Sequence, residues 1–151
     1  MTREVIRVIE KVPSSLHLID EGQELNDAYY LRHRIETVKR IRLTSRTDAL
    51  ALAAMVEEDY EAARWWSKYV QEELNHDLLY LKDLQKHGLM EKQVLKIDPF
   101  ASTIAMVETI KAGIQDFGSN GAVAYSVWVE WSSERSSATV VERAGRKYSA
   151  S

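Results

Sequence analysis

Trp65 to Gly88, WWSKYVQEELNHDLLYLKDLQKHG, is the stretch on which the reading of this chain turns. It has no Gly or Pro before Gly88 and is dense in Leu, Glu, Lys and Gln, all good helix formers, so it predicts one long helix. Apolar residues recur at steps of three and four: Trp66, Tyr69 and Val70, then Tyr80 and Leu84. Glu73 and His76 sit in the middle of that stripe. Residues three apart on a helix are neighbours on one face, so a carboxylate and an imidazole are aimed inward together. Burying such groups without partners costs several kcal/mol. A metal ion is one compensation suited to this pair; a solvated Glu beside a core His bonded to a carbonyl is the ordinary alternative.

Working outward, the 151 residues correspond to a single domain, 1–151, long enough to bury a core. With 45% apolar residues, 28% charged residues and a net charge of -3, nothing global points to nucleic acid or an anionic membrane as a partner. The chain has no cysteine, which removes disulfides, thiolate zinc sites and iron–sulfur clusters held by its own thiolates. The N-terminus has no secretory h-region, and the longest near-apolar run, Gly121 to Val129, is too short to span a bilayer. A soluble cytoplasmic protein is expected.

Thr2 to Val12 predicts a short helix ended by Pro13-Ser14-Ser15, and Leu16 to Gln23 a connector. Leu25 to about Leu43 predicts the next helix, with Leu31, Ile35, Val38 and Ile41 inside and a solvated basic face of Arg32, Arg34, Lys39, Arg40 and Arg42. Glu36 stands four residues from both Arg32 and Arg40, an i,i+4 ion-pair position. Thr44 to Thr47 is expected to break the chain, and Asp48 to His87 to run on as about eleven turns with a kink. His87 and Gly88 suit a helix C-terminus. Leu89 to Pro99 predicts a loop; Ser102 is a candidate cap for a helix to Phe117, with Ile104, Val107, Ile110 and Ile114 inside. Gly118 to Gly121 is a turn, and Ala122 to about Arg146 a last helix whose first half is apolar nearly all round. No sheet signal and no repeat is visible, so the fold class is all-α. Glu130 is the only charge between Ala122 and Trp131, which calls for an ion-pair partner, an exposed position or a metal.

The Glu-x-x-His step recurs in carboxylate-bridged di-iron bundles. The run EELNHDLLYLKDLQKHGL resembles the second ligand helix of the haem-oxygenase-like di-iron oxidases, also called iron-containing redox enzymes. Glu72, Glu73, His76, Leu78, Leu79, Asp83, Leu84 and Gly88 stand at the matching points. The likeness covers about Leu25 to Ser149, weakly at both ends. It implies a haem-oxygenase-like helical bundle holding non-haem iron, with O2 and a small molecule as substrates. Glu130 matches the family's Glu in an aromatic-rich helix, and Glu36 is the nearest match to the Glu of the helix before Glu-x-x-His. The metal set it implies is Glu36, Glu73, His76 and Glu130, enough for one iron or an incomplete pair.

One departure stands out. The family completes its di-iron site with a later helix bearing a His-x-x-x-Asp-x-x-His type set, whereas no histidine follows His87 here. The resemblance therefore implies a chain short of its C-terminal ligand helix. Trp65, Trp66, Trp128, Trp131 and Tyr125 would line an apolar pocket or simply pack the core. Two other readings remain open. One is a ferritin-like iron binder whose homodimer builds a di-metal site from Glu plus Glu-x-x-His of each chain. The other is a metal-free helical interaction protein in which Glu73 and His76 pair with cations of other helices. Haem ligation by His17 or His33 finds no supporting surroundings.

Overall fold

The structure, a computed structural model, describes Leu18 and residues 20–148. The helix expected over Thr2–Val12, and His17, lie outside the described residues. Among the described residues the chain is all-α, and it divides into two compact units. One is Leu31–Trp128; the other takes its residues from 1–30 and 129–151.

The first helix, α1, is Asp27–Glu58, and it runs without interruption through Thr44–Thr47. The expected break is absent because the hydroxyls there turn back onto their own helix. Ser45 Oγ donates to the Ile41 carbonyl at 2.8 Å and Thr47 Oγ1 to the Thr44 carbonyl at 2.7 Å, while Thr44 Oγ1 reaches the Arg40 carbonyl at 3.1 Å. Such residues break a helix only when their side chains compete for the backbone from outside it. The break comes instead at Asp59, whose carboxylate accepts from Glu61 N and Ala62 N and caps α2, Tyr60–Glu73.

The long helix expected over Trp65–Gly88 is likewise two helices. α2 ends at Glu73, Leu74 and Asn75 form a tight joint, and α3 is His76–Lys86. Asn75 Nδ2 donates to the Gln71 carbonyl at 2.9 Å, and both joint residues keep right-handed helical backbone angles. The ladder is thus interrupted by a side-chain amide rather than by a left-handed turn. At the far end the expected cap is present. Gly88 has φ 80°, its N–H bonds the Gln85 carbonyl, and Leu89 N bonds the Leu84 carbonyl, both at 3.0 Å. That is the Schellman pattern, with Leu89 and Leu84 in the same apolar cluster.

The expected loop over Leu89–Pro99 contains a short helix, α4, Glu91–Lys96, closed at its start by Gln93 Oε1 accepting from Met90 N. α5 is Ala101–Phe117 and α6 is Asn120–Tyr148. Ser102 does not cap α5. Glu36 of α1 does so from across the unit, accepting from Phe100 N at 3.0 Å and from the Thr103 hydroxyl. Glu58, at the other end of α1, serves α6 in the same way, accepting from Ser119 N and Oγ at 3.1 and 2.6 Å. Gly118 (φ 64°) is required beside it, since a Cβ there would meet Glu58 Oε1 at 2.1 Å.

Two apolar clusters hold the Leu31–Trp128 unit. Ala51 and Met55 of α1, Ala63 and Trp66 of α2, Ile110 of α5 and Ala122 of α6 form the first. Ile35 and Val38 of α1 pack with Leu81 and Leu84 of α3 and Val94 of α4 in the second. Ile104, expected inside, is 42% exposed, whereas Val107 and Ile110 are buried.

The basic residues of α1 are not a solvated face. Arg32 donates to the Asp98 carbonyl and lies 3.9 Å from the Phe100 ring centroid; Lys39 donates to the Leu95 carbonyl at 2.6 Å. Arg34 pairs with Asp83 at 3.4 Å, and Arg42 joins Asp77 at 2.7 Å to Glu91 at 2.6 Å. They tie α3, α4 and the carbonyls left open at the end of α4 to α1. In the other unit Tyr148 donates to Asp27 at 2.6 Å, and Arg143, buried, donates to the Gln23 carbonyl at 2.6 Å.

Candidate functional site

The α2–α3 joint brings two of the expected residues together. His76 Nδ1 lies 3.0 Å from Glu73 Oε1; the Glu73 side chain is 17% exposed and that of His76 45%. Glu73 is the last residue of α2 and His76 the first of α3, so the pair spans the joint rather than lying on one uninterrupted helix. His76 Nε2 takes no partner among the described residues.

A further acid, absent from the residues expected at the site, feels the charge of Glu73. Asp48 of α1 is 4% exposed. Its carbonyl accepts from Trp66 Nε1 at 2.9 Å, and its carboxylate takes no hydrogen bond or ion pair among the described residues. Burial, and then the Glu73 carboxylate, push its carboxyl up to about 7. Tyr125 of α6 joins the group. Burial raises its hydroxyl above the ordinary phenol range, Arg40 pulls the other way, and Asp48 and Glu73 add to the rise. Asp48 and Arg40 of α1 and Glu73 of α2 thus lie within electrostatic reach of Tyr125 of α6, which packs against the first apolar core.

The signal for Asp48 was in the spacing. Thr37, Ile41, Thr44, Asp48, Ala51 and Met55 are all buried and follow one another at steps of three and four. That row is invisible once a break is placed at Thr44–Thr47.

The other expected residues have surroundings of their own. Glu36 uses its carboxylate on Phe100 N, the Thr103 hydroxyl and Arg32, whose Nη1 is 3.0 Å away. Glu130 belongs to the other unit and is exposed. Trp66 is core, while Trp65 is 65% and Trp128 39% exposed, so these aromatics do not share one lining. His33 Nδ1 is buried without a hydrogen-bond partner, and burial, with Arg34 and Arg40, pushes the ring down to about 4. Among the described residues no group of three or more His, Cys, Asp or Glu converges as a ready-made metal site. No helix searched among them is long and apolar enough to cross a membrane.

No family model, no curated protein and no solved structure matches the chain.

Proposed function

We propose that this chain is a non-haem iron protein of the haem-oxygenase-like type, an O2-activating oxidoreductase acting on a small molecule, with its ion at Glu73 and His76. The observation that carries the reading is the 3.0 Å separation of His76 Nδ1 and Glu73 Oε1. Two bonds of about 2.1 Å at a right angle place their donors about 3.0 Å apart. A divalent ion and the Nδ1 proton therefore compete for the same place, and the donor types, imidazole and carboxylate, suit ferrous iron. Ferrous iron held by such ligands supplies open positions for O2 and substrate. The half-exposed His76 leaves a path from solvent to the pair, and the Trp66–Tyr69 ring contact, centroids 4.8 Å apart, belongs to the core cluster of the same unit.

The test is anaerobic loading with Fe(II), removal of free metal and metal analysis. Wild type retains iron, and His76→Ala loses most of it. Equal iron in both, or none in wild type, overturns the assignment.

A second reading is favoured by one observation. Leu74, Leu78 and Leu79, next to His76 in the chain, are 57%, 48% and 63% exposed. A second copy packed there buries them and brings its own Glu73 and His76 to a shared site, as in the ferritin-like arrangement. Sedimentation equilibrium with and without Fe(II) separates the two: a metal-stabilised dimer holding the iron supports sharing, and a monomer that holds iron removes it.

A further inference from the structure

We infer that the outer face of α1 between Arg46 and Glu57 is an interface on which a second copy of this chain packs antiparallel; the inference does not depend on the metal-binding reading above. In this stretch both sides of α1 are apolar. Ala51 and Met55 are buried in the first core. On the other side Arg46, Ala49, Leu50, Ala53, Val56 and Glu57 are exposed, Leu50 at 50% and Val56 at 43%. At about 100° per residue these six fall within about 120° of the helix circumference, so they form one stripe. No polar residue occurs from Ala49 to Val56, so the outer side here is as apolar as the inner one. A helix with only one covered face carries polar residues on the other, and α1 does not.

The stripe is complementary to itself. Its only charges are Arg46 at the N-terminal end and Glu57 at the C-terminal end, and neither takes a hydrogen bond or ion pair among the described residues. A two-fold axis crossing α1 midway between Arg46 and Glu57 is also midway between Leu50 and Ala53. The same axis therefore sets Arg46 against the partner's Glu57 and Leu50 over the partner's Ala53, a large side chain against a small one, and does each twice. Parallel pairing would set like charges together at both ends and align the helix dipoles unfavourably. An unrelated partner requires none of this symmetry, which is why the occupant assigned is a second copy. The stripe is about 16 Å long, at 1.5 Å per residue. It buries less than a standard interface of about 1,600 Å², so the pairing is weak. The dimer forms as protein approaches the millimolar range, and dilute samples stay monomeric by this route.

The experiment is sedimentation equilibrium with a chelator present, over a concentration series reaching the millimolar range. It compares wild type, Arg46→Glu, Glu57→Arg, the double variant and Ala53→Glu, each checked for helicity by circular dichroism. All three positions are exposed, so the fold tolerates the changes. Each single charge reversal is expected to weaken dimerisation about fivefold or more, because it sets like charges together twice. The double variant restores the pairing to within about twofold of wild type, as coupled sites do. Ala53→Glu, which puts a charge where the partner's Leu50 sits, abolishes it. A wild type that is monomeric throughout, single reversals that associate like wild type, or a double variant no tighter than the singles overturns the inference. None of these outcomes touches iron retention by Glu73 and His76, so the metal-binding reading stands or falls separately.

Discussion

At the scale of single residues, Asp48 and His33 give one unit two opposite pH dependences. The Asp48 carboxyl is raised from 3.8 to about 7 in the fold. Between those values the unfolded chain has released the proton that the folded chain keeps, so stability falls as pH rises through this window and is level above it. His33 is lowered from 6.5 to about 4. There the unfolded chain takes up a proton that the folded chain refuses, so stability falls as pH drops through that range. At about 1.4 kcal/mol for each tenfold change in proton affinity, the two effects are of the same order and largely offset each other between about pH 4 and 6.5. Removing one exposes the other. With a chelator present, Asp48→Asn is expected to show a urea midpoint that climbs from about pH 4.5 to 6.5, and His33→Gln one that declines. Profiles of both variants parallel to wild type contradict the burial assigned to these two side chains.

Among the elements, α1 does the organising, because its acids reach the starts of other helices. Glu36→Gln keeps the shape but weakens charge-assisted acceptance from Phe100 N and Thr103. A loss of about 1–3 kcal/mol in urea unfolding is expected, against little change for Glu72→Gln on the exposed side of α2. Close approach of α5 and α6 is tested by two glycines. A Cβ on Gly121 would lie 2.5 Å from the Gly113 carbonyl carbon, so Gly121→Ala forces backbone apart and should cost about 2 kcal/mol or more. Gly145 in α6 has nothing within 4 Å of its added Cβ, and Gly145→Ala should gain about 0.5–1 kcal/mol of stability through helix propensity. Equal effects of the two on the unfolding midpoint contradict the packing.

Apolar periodicity made the helical class legible, and Gly88 and Gly118 marked two true ends. The Glu73–His76 neighbourhood was legible for the same reason, since residues three apart meet whether the helix is continuous or jointed at Asn75. The boundaries were not. Thr44, Ser45 and Thr47 look like a stop in one dimension because their hydroxyls can cap a helix, and only the fold shows them bonding back within α1. Nor does a sequence reveal that Arg32, Lys39 and Arg42 serve distant carbonyls and carboxylates. The same error hid Asp48, because a false break at Thr44–Thr47 resets the register of the residues after it. For Glu130, of the ion-pair partner, exposed position or metal that its apolar neighbours leave open, the exposed position is the one found, with Ala124, Val127 and Trp128 exposed as well.

For the whole molecule, the exposed leucines at the α2–α3 joint are the feature that solution behaviour can check. If they meet a second copy, Leu79→Glu is expected to abolish self-association without lowering the helical content; an unchanged oligomeric state for that variant contradicts the shared-site reading. The chemistry itself is decided by where an ion sits. Crystals grown anaerobically with ferrous iron and measured across the iron absorption edge give that position directly. An anomalous peak within bonding distance of both His76 and Glu73 is the expected result. A peak elsewhere, or no peak in crystals whose density shows Glu73 still bonded to His76 Nδ1, contradicts the iron site.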